Sequence, residues 1–533
     1  MCKNCAFCRK KAFLFVTLEI AFFSDNFYIY CSLLGSNGGN TMLFIGVDLG
    51  TSAVKLILAD ELGKVLKVVS KEYPVNFPHS GWSEQDPYNW YDKSIEGIKE
   101  LISGFDGNDV NGISFGGQMH GLVMLDSEDK VIRPAILWND GRSYKETEYL
   151  NNVIGKDKLT EYTGNIAFAG FTAPKVLWVK ANEPENFAKI NKICLPKDYL
   201  AYRLSGVFST DVSDASGTLY FDVKNRTWSK EMCEICSIDM NWLPQIFESY
   251  EKTGNLKPEI AEELGISKEC IIAAGAGDNA AAAVGMGVVG KGGCNISLGT
   301  SGTIFIANDK FGVDANNALH SFDHADGGFH LMGCMLAAAS CNKWFMEEIL
   351  KTNDFKTEQA GIKELGKNKV FFLPYLMGER SPINDPDARA TFIGMSMDTT
   401  RQDLIQAVFE GVAFALRDSF EAAKSIGVNI TKSGVCGGGA KSPLWRQIIA
   451  DILNITLVQT ENEEGPALGG AILAAVAAGV YPSVEDACSK IIKIVAETKP
   501  IPENVALYEQ RYREFSRLYP ALKEVFKANA EKF

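Results

Sequence analysis

The sequence predicts an α/β protein built from two related domains. The chain has 533 residues, which exceeds the size at which a single hydrophobic core keeps growing, so at least two domains are expected. A short motif near the beginning returns about half a chain later. Apolar runs such as 112–115 and 370–373 alternate with helical patterns such as 404–424, and strands interleaved with helices are typical of α/β layers.

The repeated motif carries most of this prediction. Residues 46–60 and 295–309 each contain an apolar run, the tetrapeptide Leu-Gly-Thr-Ser and a second apolar run. Each copy predicts a strand, a tight turn and a second strand, and the first copy adds a third strand at 65–73. Because the copies lie far beyond the period of a solenoid, they indicate two domains that each open with a β-hairpin.

Composition and charge exclude several classes of function. The formal net charge of −13 argues against non-specific binding to nucleic acid or anionic membranes, which requires a basic surface. The five histidines form no HExxH motif or His/Cys cluster, so no catalytic zinc site is expected. Most of the thirteen cysteines stand singly in apolar segments, which is typical of reduced thiols in a cytoplasmic protein.

The first 41 residues differ from the rest of the chain. Cys2, Cys5 and Cys8 have the spacing of a metal-binding motif, but the fourth ligand of such a motif is missing. The apolar segment 12–34 is interrupted by charged residues and lacks a signal-peptide cleavage site. Because regular α/β patterning begins only at residue 42, we expect residues 1–41 to be a nonessential extension.

The two Gly-Thr-Ser turns have the chemistry of a phosphate site. Glycine permits close backbone approach, and backbone N–H groups bind anions. One such turn is weak evidence, but one in each domain could hold a triphosphate from two sides. Asp48 ends the first strand, where its carboxylate could hold Mg²⁺ through water; a turn-capping role is the alternative. The candidate phosphate contacts are Gly50, Thr51, Ser52, Gly299, Thr300 and Ser301.

A third glycine-rich segment precedes a predicted helix. Gly437, Gly438 and Gly439 come shortly before Ser442, a candidate N-cap followed by proline at the first helical position. Such a segment lets a nucleotide approach bare backbone and the positive end of a helix; a flexible loop is the alternative. The GxGxxG pattern at 285–290 follows a helix and precedes a strand, the reverse of a dinucleotide site, and the P-loop motif is absent.

Asp278 is the candidate catalytic base. It opens a predicted helix of small residues, where it either caps the helix or accepts a proton from a hydroxyl group, as aspartates do in other phosphoryl transfers. The segments 117–121 and 137–142 add an imidazole, an amide, an indole and charged groups on predicted loops. Ordinary surface loops contain such groups too, so position alone does not assign them.

Taken together, these segments resemble the FGGY carbohydrate kinases of the actin, hexokinase and chaperone ATPase superfamily. The resemblance extends from Met42 to about Lys523 and includes the second family signature at 390–410. The first signature, at 171–182, fits less strictly because Ala181 stands where a polar residue is usual. The resemblance implies two ribonuclease H-like domains with a cleft between them.

The resemblance also implies an activity and a separate role for each half of the chain. Residues 42–287 are expected to hold the sugar and phosphate sites, and residues 288–533 the nucleotide site. Segments 118–120, 138–142 and 277–280 are most similar to family members that phosphorylate D-xylulose at its C5 hydroxyl with ATP and Mg²⁺. Ribulose, fuculose, gluconate or an unusual polyol are alternative substrates, and a non-catalytic actin-like ATPase scaffold is an alternative of another class.

Roles for single residues follow from the same resemblance. Asp278 is expected to accept the proton, and Asp48 to be the carboxylate of the phosphate and metal site. The expected sugar contacts are Met119, His120, Trp138, Asp278 and Asn279. The expected nucleotide contacts are Lys55, the three glycines 437–439 and Lys441. Small-residue helices near 280–287 and 465–471 are the expected hinge, and a cytoplasmic homodimer is a family-level expectation.

Overall fold

The structure is a computed structural model that describes residues 41–461 and 464–530. The three cysteines at positions 2, 5 and 8, and nearly all of the expected extension, lie outside the described residues. Between residues 41 and 530, apart from 462–463, no helix combines the length and the apolar character needed to cross a membrane.

The strands fall into a first set before residue 278 and a second set after residue 293. The first set is β1 (Leu43–Leu49), β2 (Ala53–Asp60), β3 (Val65–Glu72), β4 (Glu84–Gln85), β5 (Val110–Gly117), β6 (Val123–Leu125), β7 (Ala135–Ile136), β8 (Lys192–Cys194), β9 (Ser209–Asp211), β10 (Phe221–Asp222), β11 (Thr227–Trp228), β12 (Gln245–Phe247), β13 (Lys252–Asn255), β14 (Ile271–Ala273) and β15 (Ala276–Gly277). The second set is β16 (Cys294–Leu298), β17 (Gly302–Asn308), β18 (His320–Asp323), β19 (Phe329–Met335), β20 (Phe371–Leu373), β21 (Thr391–Ile393), β22 (Lys432–Cys436), β23 (Thr456–Thr460) and β24 (Ile494–Thr498).

Helices alternate with these strands along the chain. They are α1 (Pro87–Ile102), α2 (Tyr144–Glu148), α3 (Lys156–Thr163), α4 (Thr172–Asn182), α5 (Pro184–Phe187), α6 (Pro196–Ser205), α7 (Val212–Ala215), α8 (Lys230–Cys236), α9 (Pro258–Leu264), α10 (Asp278–Gly285), α11 (Ala339–Trp344), α12 (Phe355–Ala360), α13 (Arg401–Ser425), α14 (Pro443–Leu453), α15 (Gly465–Ala477), α16 (Val484–Ile491), α17 (Pro502–Phe515) and α18 (Leu518–Ala530).

Two seven-stranded sheets share one strand arrangement. The first has the order β3-β2-β1-β5-β14-β13, with β15 also paired to β5, and the second has the order β18-β19-β17-β16-β22-β23-β24. In each, an antiparallel hairpin, β1–β2 or β16–β17, continues into a parallel strand, β5 or β22. The repeated Gly-Thr-Ser segments form the turns of these two hairpins, so the α/β prediction and both predicted hairpins are confirmed.

A pair of helices packs beside the first sheet. Helix α15 lies against β1 and β5 and against α10, and its sequence of alanines, glycines and aliphatic residues is buried almost throughout. A Cβ atom on Gly469 would lie 1.8 Å from the carbonyl oxygen of Ala281, and one on Gly285 would lie 2.0 Å from that of Gly465. The glycines therefore permit backbone contact between the two helices that were expected to form the hinge. Of the glycines at 285–290, Gly285 belongs to this packing, whereas Gly287 and Gly290 have positive φ and lie against Ile492 and Glu485.

Candidate active site

Three neighbouring parallel strands of the first sheet end together. In the register of β1, β5 and β15, Leu49 lies beside Gly117, and Gly117 lies beside Gly277. The segments that follow these strands therefore begin at one edge of the sheet. This edge brings together Asp48 with the first Gly-Thr-Ser turn, the Gln118-Met119-His120 segment, and Asp278 with Asn279.

Asp278 and Asp48 are two half-buried carboxyl groups that influence each other. Burial raises the pKa of Asp278 to about 7, and the charge of Asp48 contributes to the increase. Burial likewise raises the pKa of Asp48 to about 6, with Lys55 lowering it and Glu464 raising it. A carboxyl group whose pKa lies near neutrality is suited to general-base catalysis.

Asp278 does not cap its helix. Gly277 occupies the N-cap position of α10, and Asp278 is the first helical residue. Its Oδ1 accepts hydrogen bonds from the backbone N–H of Asn279 at 2.7 Å and from Asn279 Nδ2 at 3.0 Å. The second oxygen of the carboxylate makes no hydrogen bond to another group in the part of the chain that the structure describes. The helix-cap alternative therefore does not account for this aspartate.

The first Gly-Thr-Ser turn is fixed through its backbone carbonyl groups. Tyr73 Oη donates to the carbonyl oxygen of Gly50 at 2.5 Å, and Gln85 Nε2 donates to that of Thr51 at 2.6 Å. Trp138 Nε1 donates to Thr51 Oγ1 at 3.0 Å. The Ser52 side chain is exposed. Trp138, an expected sugar contact, thus lies directly against the predicted phosphate turn.

Lys55 lies on β2 opposite Asp48. Its Nζ is 2.5 Å from Glu464 Oε2, just before α15 begins. This ion pair joins the first hairpin to the α15 end and sets the electrostatic environment of Asp48. The expected nucleotide contact of Lys55 would have to coexist with this ion pair or replace it.

The second hairpin and the glycine-rich segment meet at the corresponding edge of the second sheet. Strands β16 and β22 are parallel neighbours, so 299–301 and 437–441 follow adjacent strand ends. Gly437 has a φ of +87° and lies against Leu298, whereas a Cβ atom on Gly438 would meet no atom within 4 Å. Ser442 accepts a hydrogen bond from Trp445 N and caps α14, which confirms its predicted N-cap role. Lys441 closes the short turn before this cap.

His120 is held in an unusual backbone conformation beside Met119. Its φ is +67°, a region that few non-glycine residues adopt. The His120 carbonyl oxygen accepts hydrogen bonds from Lys175 Nζ at 2.8 Å and Thr172 Oγ1 at 3.2 Å. Its Nδ1 donates to the carbonyl oxygen of Gly217 at 2.8 Å, where any side chain on Gly217 would collide with the imidazole.

These contacts define the state of the imidazole. Burial, with the nearby charge of Lys175, holds the pKa of His120 well below its usual range, so the ring is neutral. Because Nδ1 carries the proton, Nε2 is an acceptor, suited to a hydroxyl donor. Met119 is buried, and its Sδ lies 3.9 Å from Asn279 Nδ2, which links the His120 segment to Asp278.

The residues that hold His120 were not predicted from the sequence. Thr172 and Lys175 belong to the less strictly matched first family signature, and that motif was the available signal. Around the imidazole, Phe171 lies 4.8 Å away between ring centroids and Phe322 lies 6.3 Å away. Phe322 and the neighbouring His320 belong to β18 of the second sheet, and nothing in their local sequence indicated that they approach His120.

The described residues contain no group of three or more His, Cys, Asp or Glu side chains arranged to hold a metal ion. A magnesium ion bound with a nucleotide needs only one or two carboxylates, because phosphate and water oxygens supply its other ligands. Two neighbouring carboxylates beside a phosphate turn meet this requirement. Asp48 fits such an ion, as the sequence predicted, and Asp278 beside it is left to accept a proton.

Comparisons with known proteins identify the family of this chain. The family model described as the FGGY family of carbohydrate kinases, N-terminal domain, matches residues 43–285, and the model of the C-terminal domain matches residues 294–478. A xylulose kinase from Escherichia coli (strain K12) is 40% identical over 484 residues, which cover 90% of this chain and 99% of that protein.

Solved structures show the same fold. A kinase from Brucella ovis, described as a xyloylose kinase, is 39% identical and superposes with a TM-score of 0.86, covering 91% of this chain and 100% of the other. A gluconate kinase from Lactobacillus acidophilus is 28% identical, with a TM-score of 0.85 and coverage of 90% and 98%. With both halves of the family matched in order along one chain, this protein belongs to the FGGY family of carbohydrate kinases.

Proposed function

We propose that the protein transfers the γ-phosphoryl group of ATP to the C5 hydroxyl of D-xylulose, forming D-xylulose 5-phosphate and ADP. The observation that carries the proposal is the meeting of three strand ends. They bring a carboxyl group suited to proton abstraction to the same sheet edge as a Gly-Thr-Ser turn and the Met119–His120 segment. The xylulose kinase of E. coli, 40% identical across nearly its whole length, supports the choice of sugar.

In the proposed reaction, Asp278 accepts the proton of the C5 hydroxyl as that oxygen bonds to the γ-phosphorus. The bond from this phosphorus to the β–γ bridging oxygen breaks, and ADP leaves with the electron pair. Asn279 orients the Asp278 carboxylate through its two hydrogen bonds. The neutral His120 accepts a hydrogen bond from the sugar, and Met119 shapes the pocket wall.

The phosphate chain is proposed to lie along the Gly50–Ser52 and Gly299–Ser301 turns, with the nucleotide against Gly437–Gly439 and Lys441. Asp48 would hold Mg²⁺ with the phosphates, and the ion would offset negative charge on the transferred group. Trp138 contacts the phosphate turn through Thr51, where the sugar hydroxyl and the γ-phosphate would have to meet. We infer a cytoplasmic enzyme from the free cysteines of the described chain.

Gluconate is the second candidate sugar because a gluconate kinase superposes on this chain almost as well as the xylulose kinases do. A non-catalytic scaffold is disfavoured, since burial raises the pKa of the half-buried Asp278 to about 7 and this residue makes no helix cap. A scaffold would also hydrolyse ATP without regard to sugar, whereas a sugar kinase requires its acceptor.

A panel of ketoses, aldoses, aldonates and polyols with Mg·ATP, followed by coupled ADP formation, tests this function. D-xylulose should give the highest kcat/KM, and product analysis should show the phosphate on C5. Asp278→Asn should lower kcat by at least about 100-fold while D-xylulose still binds by calorimetry. A higher kcat/KM for gluconate would reassign the sugar. A folded Asn variant with normal turnover would remove Asp278 from the mechanism.

A further inference from the structure

A cationic side chain from the second half of the molecule reaches the aromatic cluster beside His120. The guanidinium carbon of Arg380 lies 5.6 Å from the ring centroid of Phe168. The Phe168 ring packs against Phe171 at 5.4 Å and His320 at 4.9 Å, and Phe171 packs against His120 at 4.8 Å. Arg380 is therefore part of the wall to which His120 belongs.

The backbone of Arg380 is held firmly in place. Glu379 Oε1 accepts hydrogen bonds from the N–H groups of Leu336 and Arg380, both at 2.8 Å. Ser381 N donates to the carbonyl oxygen of Cys334 at 2.9 Å. These contacts attach the segment to the end of β19. The guanidinium is thus carried by a connecting segment whose backbone is fixed by hydrogen bonds to Cys334 and Leu336.

Within residues 41–461 and 464–530, the Arg380 guanidinium has no carboxylate partner at ion-pair distance. The adjacent Glu379 is directed into the backbone, and burial raises its pKa to about 7, so it neutralises Arg380 only weakly. The charge of Arg380 contributes to lowering the pKa values of His120 and His320. The Arg380 side chain hydrogen-bonds the Cys334 thiol, which leaves further guanidinium donors for a ligand.

The order of contacts separates Arg380 from Asp278 along this wall. Asp278 hydrogen-bonds Asn279, Asn279 contacts Met119, and Met119 precedes His120. From His120 the contacts continue through the phenylalanine rings to Arg380. A sugar whose C5 hydroxyl faces Asp278 would extend along this line, with its other end directed to the guanidinium.

We propose that Arg380 is a sugar-binding residue, donated by the second half of the molecule, that recognises the C1 end of the ketose. Its guanidinium donates hydrogen bonds to oxygen atoms at this end, with the C1 hydroxyl as its main acceptor. The assignment rests on the proposed function. It adds a polar contact from the segment that follows β20 (Phe371–Leu373), so the sugar is bound by polar side chains from both halves of the protein.

Calorimetric titration of the full chain with D-xylulose, without nucleotide, tests the assignment. Arg380→Gln should weaken sugar binding about tenfold or more, since hydrogen bonds to charged groups are among the stronger ones. The KM for sugar should rise in parallel, while the KM for ATP changes less than about twofold, because no part of the nucleotide site is altered. Arg380→Lys keeps the charge without the fork geometry and should lie between wild type and Gln.

Arg389→Gln is the matched control, because Arg389 lies in the same segment but is exposed and, among the described residues, donates only to backbone carbonyl oxygens. It should leave sugar affinity unchanged. The probe 1-deoxy-D-xylulose lacks the C1 oxygen, so wild type should lose affinity for it, whereas Arg380→Gln should bind both sugars alike. Thermal melts test whether each variant is folded. If Arg380→Gln does not fold, Arg380→Lys takes its place in these titrations.

Three results would overturn the assignment. Unchanged sugar affinity in Arg380→Gln would exclude the contact, and a fall in kcat with normal sugar binding would place the guanidinium on the transferred phosphate instead. The binding free energy lost through Arg380→Gln and that lost through removal of the C1 oxygen could also be additive. Additive losses would show that Arg380 does not contact C1. A wild-type chain that binds no D-xylulose would reject the proposed function and this assignment together.

Discussion

At the scale of single residues, environment decides what a side chain can do. Asp278 was identifiable from the sequence because it opens a small-residue helix within a matching motif. Its inability to cap that helix could not be predicted, since it depends on where α10 begins. Trp138 was expected at the sugar, and its hydrogen bond to Thr51 depends on how two loops far apart in sequence meet.

The first prediction concerns pH and activity. Burial raises the pKa of Asp278 to about 7 and that of Asp48 to about 6. Because the base must be ionised, kcat/KM for the sugar should fall as the pH decreases through about 7, and more steeply below about 6. Binding of phosphates or a cation near these groups changes their pKa values, so kcat/KM, which reports the free enzyme, is the quantity to measure.

Stability should respond to pH in the opposite direction. The folded-state pKa of Asp278 exceeds its unfolded value of 3.8, so between about pH 4 and 7 the folded protein binds more protons than the unfolded chain. This carboxyl group therefore destabilises the fold at high pH, and less so as the pH falls. Asp278→Asn should melt above wild type at pH 8, with the difference closing towards pH 5. An activity loss at low pH that follows unfolding would contradict this assignment.

The second prediction concerns Lys175. Its buried Nζ donates to the carbonyl oxygens of His120 at 2.8 Å and Gly170 at 2.7 Å, so Lys175→Met should free His120 from its left-handed conformation. We expect the KM for D-xylulose to rise about tenfold, the effect of roughly 1–3 kcal/mol for an unpaired buried group. The KM for ATP should stay near its wild-type value.

A double-mutant cycle separates positioning from stability. In a His120→Ala background, Lys175→Met should no longer affect sugar affinity, although it should still lower the melting temperature. Thr172→Val removes the weaker bond to the same carbonyl group and serves if the Met variant does not fold. Equal effects of Lys175→Met on sugar affinity in both backgrounds would show that Lys175 does not act through His120.

At the scale of elements, the strand patterns and the repeated turn predicted more of the fold than the helical patterns did. The hairpins β1–β2 and β16–β17 followed from the Leu-Gly-Thr-Ser repeat, because a turn between apolar strands is a local property. The position of α15 was not predictable in this way. Its residues follow β23 of the second sheet in sequence but pack against the first sheet. This placement is determined by long-range packing.

The third prediction tests the contact between α10 and α15. A Cβ atom on Gly469 would lie 1.8 Å from Ala281 O. Because the clash is with backbone atoms and not with a flexible side chain, no rotamer change can relieve it. Gly469→Ala should therefore destabilise the protein by at least about 1–3 kcal/mol, the usual cost of overpacking. Gly438→Ala is the matched control for stability, since its backbone is helical and the added methyl group meets open space. Equal thermal melts for the two variants would contradict the close helix contact.

At the scale of the whole molecule, we propose that two sheets with one strand arrangement supply different parts of the binding site. The first presents Asp48, Asp278 and the proposed sugar contacts, and the second presents Gly299–Ser301 and Gly437–Lys441. Their shared order of hairpin, parallel strands and antiparallel edge strand is much more extensive than the short repeat in the sequence. The similarity of the two sheets is therefore visible in the sequence only at the Leu-Gly-Thr-Ser turns, where the turn chemistry requires particular residues.

The last prediction concerns residues 1–41. The family match begins at residue 43, and the xylulose kinase of E. coli is matched over 99% of its own length by 90% of this chain. A variant that starts at Met42 should therefore keep the melting temperature, kcat and both KM values of the full chain. Elemental analysis of full-length protein purified without oxygen should show no stoichiometric iron or zinc, since the fourth ligand of such a motif is missing. Metal that is lost when Cys2, Cys5 and Cys8 are replaced by serine, or a truncated form without turnover, would show that this segment has a function of its own.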